Sequence, residues 1–196
     1  MARAQRFFCW IYISTGETGL YEKYGYSFWK MMKDMNGEDS RVYRKEIRDI
    51  FCCRVMTIDD YDKVYNLWMA CKNMGFNNLD DSREGINKYL KRNPSTCFVA
   101  MKGEDVIGVI LSGHDGRRGF IHHMAVMEGY RRQKIASKLL DHALAALEAE
   151  GINKVALLVF NYNEAGNAFW ESRGFTVRDD LIYRNKVLAE MVRIDT

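Results

Sequence analysis

Among 196 residues there is one proline, Pro94, and no apolar stretch approaching the roughly 20 residues a bilayer helix needs. A spanning helix is therefore excluded, and Pro94 marks a single helix end. The five cysteines, Cys9, Cys52, Cys53, Cys71 and Cys97, are odd in number and form no Cys-x-x-Cys pair. That argues against a disulfide framework or a zinc site and for reduced thiols in a cytoplasmic protein. The adjacent pair His122–His123 lacks metal-ligand spacing, so no metal is expected. Charge of one sign is also scarce: 29 Lys and Arg against 26 Asp and Glu leave a net +3. Without a concentrated basic stripe there is no electrostatic footprint for nucleic acid.

What is present is apolar and aromatic surface, 47% and 13% of residues, enough for one full domain but not two. The opening MARAQRFFCWIYIS lacks a small-residue cleavage site and reads as a strand, Phe7–Ile13, rather than a signal peptide. From Arg54 onward the elements alternate. Val55 and Met56 end a short strand, and Thr57-Ile-Asp-Asp60 has the form of a helix start. Val64, Leu67, Trp68 and Cys71 share one helical face. A second helix starts near Ser82, buries Ile86, Tyr89 and Leu90, and stops before Pro94.

Strands are expected at Thr96–Met101, Val106–Ser112 and Phe120–Val126, the first two joined by the turn at 102–105. A helix over Ile135–Glu150 buries Leu139, Leu140, Ala143, Leu144 and Leu147, and Gly151 caps it. Val155–Phe160 is apolar without alternation, as in a strand covered on both faces. A short helix ends at Gly174, and strands follow near Phe175–Val177 and Leu181–Leu188. The order β-α-α-β-β-β-α-β-α-β-β predicts an α/β fold with a mixed sheet and helices on both faces.

The chemistry concentrates where a strand meets a helix, at Ala125-Val-Met-Glu-Gly-Tyr-Arg-Arg-Gln-Lys-Ile-Ala-Ser137. Unpaired N–H groups and the dipole at a helix start attract anions, and Arg131, Arg132 and Lys134 suit a diphosphate. The same three residues also fit a plain solvated turn.

Here the sequence resembles the GNAT N-acetyltransferases over about 140 residues. Arg131-x-x-Lys134-x-Ala136 stands where that superfamily carries Arg/Gln-x-x-Gly-x-Gly/Ala, the loop that holds the acetyl-CoA diphosphate. Asn163, followed by Phe169-Trp-Glu-Ser-Arg-Gly-Phe175, matches its second signature, Asn-(x)6-Leu-Tyr-Glu-x-x-Gly-Phe. The resemblance implies a GNAT fold, mostly antiparallel, over residues 54–196, and acetyl transfer from acetyl-CoA to a primary amine of a small molecule, protein or peptide. It places acetyl-CoA against Met124, Val126, Arg131, Arg132, Gln133, Lys134, Ile135, Ala136, Ser137, Asn163 and Trp170.

Two positions depart from the pattern. Lys134 replaces a glycine, which accommodates phosphates if its φ is negative. Trp170 replaces a tyrosine that in relatives protonates the leaving thiolate, and an indole is no acid. The alternative these departures raise is an acyl-CoA-binding sensor or assembly protein without catalysis.

Direct attack requires a neutral amine and hence a proton acceptor. Strand alternation puts Phe120, His122 and Met124 on one face and Ile121 and His123 on the other. His122 lies four residues before Val126, whose N–H polarises the thioester carbonyl in relatives, and is the first candidate base. His123, water or a carboxylate elsewhere are the alternatives. In the family the acceptor lies between the first two helices and the last strands. The connection Asn77–Glu84 could attract a cationic amine there, or Asp81 and Ser82 could simply cap a helix.

Residues 1–48 echo the far end of the chain. Leu20-Tyr-Glu-Lys-Tyr-Gly-Tyr26 parallels Phe169–Phe175, and Arg41-Val-Tyr-Arg-Lys45 parallels Leu181-Ile-Tyr-Arg-Asn185. The segment reads as the last third of a second GNAT domain, with 49–53 as linker. Phe7, Phe8, Trp10, Tyr12, Tyr21, Tyr24, Tyr26, Phe28 and Trp29 are expected to be buried, in this chain or in a homodimer.

Overall fold

The structure is a computed structural model that describes residues 10–46 and 51–196. The chain folds as two units that part at Cys52/Cys53. In the first, β1 (Trp10–Thr15), a 3-10 turn at Glu22–Tyr24, β2 (Ser27–Lys33) and β3 (Asp39–Glu46) form an antiparallel sheet in the order β1-β3-β2. Gly25 ends the turn at φ 81°, a left-handed conformation that glycine adopts without steric cost.

The expected strand Phe7–Ile13 begins outside the described residues, as do Phe7 and Phe8. Within the single chain, burial is corrected for four of the aromatic set: Tyr12, Tyr24, Phe28 and Trp29 are exposed. A sheet of three strands buries few large side chains by itself. The rings meet one another instead, Tyr12 tilted against Trp29 at 5.0 Å and Phe28 edge-on to the buried Tyr43 at 6.0 Å.

Strand β4 (Cys52–Val55) runs across the Cys52/Cys53 boundary into the second unit. Thr57 then donates its N–H to the Asp60 carboxylate at 2.9 Å, and Arg54 grips the same carboxylate at 2.7 and 2.6 Å. Burial raises the Asp60 pKa, but Arg54 and the Thr57 N–H outweigh it and hold the group below the usual carboxylate range. Helix α1 (Tyr61–Ala70) follows and buries Val64, Leu67 and Trp68, with Cys71 buried at its end.

Next come β5 (Gly75–Asn77) and α2 (Arg83–Arg92), the latter capped by the Ser82 hydroxyl, which accepts from the Gly85 N–H at 3.1 Å. Strands β6 (Phe98–Lys102), β7 (Asp105–His114) and β8 (Gly119–Val126) lead to α3 (Ile135–Ala149), β9 (Val155–Leu157), α4 (Glu164–Ser172) and β10 (Arg193–Asp195). The main sheet runs β4-β6-β7-β8-β9, with β8 and β9 parallel and β7 and β8 antiparallel. Val106–Gly113 in β7 is buried without a break, so both of its faces are covered. At Gly108 an added Cβ would lie 2.9 Å from Ile135 and 3.1 Å from Leu139. The absent side chain lets the first turns of α3 press directly on β7.

Three expectations fail around the end of this unit. β9 is only three residues long and half-exposed rather than covered on both faces. The strands expected at Phe175–Val177 and Leu181–Leu188 are absent; Val177, Leu181, Ile182, Tyr183 and Leu188 stand exposed. A strand that was not expected, β10, pairs with β5 in a separate two-stranded sheet. Residues 175–192 thus cross from α4 to β5 without joining the main sheet, which leaves β9 as its edge among the described residues.

Candidate active site

In β8 the pairing of Leu111 with His123 is followed by that of Ser112 with Ile121, so His122 is an extra residue opposite β7. Such a bulge cancels alternation at one step. Gly119, on the same side of β8 as Ile121, faces α3, where an added Cβ would meet Leu147. His122 and His123 instead both face α1, β5 and α2. The His122 ring lies 5.3 Å from Tyr89 and 4.8 Å from Phe120. The His123 ring lies 5.2 Å from Trp68 and 5.0 Å from Phe76. The expectation that the two histidines occupy opposite faces is corrected. A strand pattern carries no mark of a bulge that uses no glycine.

His123 is also tied to a carboxylate. Its Nε2 lies 2.7 Å from Asp81 Oδ1, and Asp81 Oδ2 accepts the Asn77 N–H at 2.8 Å. Tyr61 donates its hydroxyl to the Asp81 carbonyl at 2.8 Å, so the turn carrying Asp81 is itself held in place. The Asp81 side chain is 8% exposed and that of His123 16%. Capping of α2 falls to Ser82 alone, and Asp81 is free of that duty. The indole Nε1 of Trp68 and the hydroxyl of Tyr89, beside the two histidines, are buried without a hydrogen-bond partner. His122 is exposed, yet nearby protein atoms lower its pKa by desolvation, and His123 lowers it further. Asp81 and Asp80 pull the other way and do not prevail, so the His122 imidazole is neutral near pH 7.

Further along β8 the main chain opens. Met127 donates its N–H to the Ile107 carbonyl at 2.9 Å. Hydrogen-bonded and non-hydrogen-bonded pairs alternate in an antiparallel ladder, so Val126–Gly108 and Met124–Ile110 are the non-bonded pairs. The N–H groups of Met124 and Val126 therefore point away from β7. On that side β9 pairs with β8 only from Gly119 to Ile121. Beyond this point the two strands part, and a cavity of about 1470 Å³ opens between them. His122, His123, Met124, Val126, Arg131, Arg132, Lys134, Ile135, Ala136, Ser137, Asn163 and Trp170 all line it.

The loop before α3 is strained. Arg132 has φ 66° and Lys134 φ 62°, although neither is glycine. The condition of a negative φ at Lys134 is thus not met: the backbone keeps the glycine-like conformation with a lysine in it. Left-handed geometry costs an L-residue roughly 1–2 kcal/mol, and such strain gathers at functional sites. Lys134 precedes the first turn of α3, where Ile135, Ala136 and Ser137 present N–H groups that have no acceptor within the helix. Arg131 Nε donates to the Val126 carbonyl at 3.3 Å. Gln133 is not a lining residue and reaches back to the Gly129 carbonyl at 3.4 Å. The Asn163 side chain caps α4 by accepting the Gly166 N–H at 3.0 Å. The half-buried Trp170 packs against Phe169 and Phe175.

Comparison with known proteins agrees with this architecture. A model of the acetyltransferase (GNAT) family matches residues 61–175. An acetyltransferase of Sodalis glossinidius is 30% identical over 137 residues, which is 70% of this chain and 95% of that protein. Among solved structures, Ard1 of Thermoplasma volcanium superposes with a TM-score of 0.59 at 21% identity, covering 65% of this chain and 84% of that one. The PaiA N-acetyltransferase of Thermoplasma acidophilum, solved with coenzyme A, has a TM-score of 0.57 at 18% identity over 66% of this chain and 92% of its own. The chain belongs to the acetyltransferase (GNAT) family.

Proposed function

We propose that the protein transfers an acetyl group from acetyl-CoA to a primary amine. The observation that carries this reading is the single cavity shared by an anion-attracting helix start, two outward strand N–H groups and two histidines. The diphosphate lies at the N–H groups of Ile135–Ser137, with Arg131, Arg132 and Lys134 supplying charge-assisted contacts. The pantetheine arm follows the gap between β8 and β9, and the Val126 N–H polarises the thioester carbonyl. Proton removal from the amine falls to the β8 histidines, with His122 the residue the sequence singles out. Trp170 lines the cavity where relatives carry a tyrosine, and its indole offers no acid to the thiolate.

Acetyl-CoA should raise the melting temperature, because a ligand bound only by the folded state shifts unfolding by mass action. Thiol release measured against a panel of small amines and peptides should show amine-dependent turnover. Stabilisation without turnover for any amine would instead establish an acyl-CoA-binding protein without transferase activity.

We also propose that residues 1–48 are a second copy of the last third of the domain, docked on a second molecule in a homodimer. The sequence parallels of 20–26 with 169–175 and of 41–45 with 181–185 support this reading, as do the left-handed glycines Gly25 and Gly174 in matching places and the exposed aromatic face. Light scattering should show a dimer for the full chain and a monomer after deletion of residues 1–48. Equal masses would remove the proposal.

A further inference from the structure

Two histidines face the cavity, and their surroundings differ in one decisive respect. The described partners of His122 are rings, Tyr89 and Phe120. His123 has a carboxylate, Asp81, whose second oxygen is engaged by the Asn77 N–H. An ionised carboxylate only accepts, so the hydrogen on the 2.7 Å contact belongs to His123 Nε2. That fixes the tautomer and leaves the lone pair on Nδ1, the nitrogen that can take a proton. Packing against Trp68 and Phe76 holds the ring in that orientation.

We infer that His123, and not His122, is the catalytic base that takes the proton from the acceptor amine, with Asp81 as its positioning residue. The inference rests on the acetyl-transfer reading above. As the amine lone pair forms the new C–N bond, one N–H proton moves to Nδ1. The C–S bond breaks with its electron pair on sulfur, and the imidazolium returns its proton to the thiolate or to solvent. Nothing is oxidised or reduced. Asp81 stabilises the imidazolium that forms transiently, as the carboxylate of a Ser-His-Asp triad does for its histidine. His122 lines the amine's approach and shapes the fit of the acceptor.

The test uses the full chain with the best amine from the panel. His123→Ala should lower kcat by roughly 10²–10⁴ while leaving the dissociation constant for acetyl-CoA within about twofold. Added imidazole should restore part of that rate, which a merely unfolded variant cannot show. Asp81→Asn should lower kcat with little change in the KM for acetyl-CoA, and Asp81→Glu should recover part of the loss. His122→Ala should act mainly on the KM for the amine. If His123→Ala retains wild-type kcat, or if His122→Ala loses kcat to the same degree and is rescued by imidazole, the assignment is overturned while the acetyl-transfer reading stands. If the unmodified protein turns over no amine, that reading falls and the dyad's role falls with it.

Discussion

On the α3 side of the cavity, Arg131–Ala136 run consecutively along the chain, whereas on the other side Asp81 and His123 meet across 42 residues. The loop works through main-chain N–H groups and charge at an exposed helix start, in a backbone held at two positive φ angles. The dyad works through side chains in a recess lined by Trp68 and Phe76, with its hydrogen bonds satisfied by the turn before α2. On the proposed reading one side grips a charged group that is alike in every reaction cycle. The other orients a catalytic ring, and it is the more deeply packed of the two.

Separate variants should divide these two sides. The larger effect is expected from Arg132→Glu, which replaces a phosphate contact with repulsion and should raise the acetyl-CoA dissociation constant roughly tenfold or more. The rate at saturating acetyl-CoA should hardly move, because the dyad is untouched. Isothermal titration beside steady-state kinetics checks both halves; a fall in kcat with unchanged affinity would break the division. The smaller effect is expected from Lys134→Gly. Glycine relieves the left-handed strain at the cost of a more flexible unfolded chain, leaving about 1 kcal/mol or less of net stabilisation. For a chain of this size that is a rise in melting temperature of roughly 2–4 °C at most. A lower melting temperature would show that the lysine side chain holds the loop together.

How much of this could be read from sequence follows from the same division. The loop and α3 are legible because an anion site at a helix start is a contiguous pattern. The α1 and α3 core faces are legible because Val64, Leu67 and Trp68, or Leu139, Leu140, Ala143 and Leu147, repeat at helical spacing. The dyad was hidden twice. Asp81 sits beside a true capping residue, Ser82, and looks like its partner in that task. His123 changes face through a bulge that needs no glycine or proline to announce it. A pair of consecutive histidines in a half-buried strand was the only signal, and alternation pointed it the wrong way. The last two strands were misread for a third reason. Leu181–Leu188 has strand composition, but composition cannot say whether a neighbouring edge is taken up, and here the pairing goes from Arg193–Asp195 to β5.

The bulge at His122 also has a genetic consequence. Ile121 and His123 already pair with neighbouring residues of β7, Ser112 and Leu111, so loss of the His122 codon would leave both halves of the ladder in register and turn β8 into an uninterrupted strand. What would go is the extra side chain and the local bend that a bulge brings. Loss of a codon between His123 and Val126 is different. The remaining residues would slip by one on β7, and a slip of one residue sends every side chain beyond it to the other face. Within β8 the ladder therefore tolerates deletion best at its one unpaired residue.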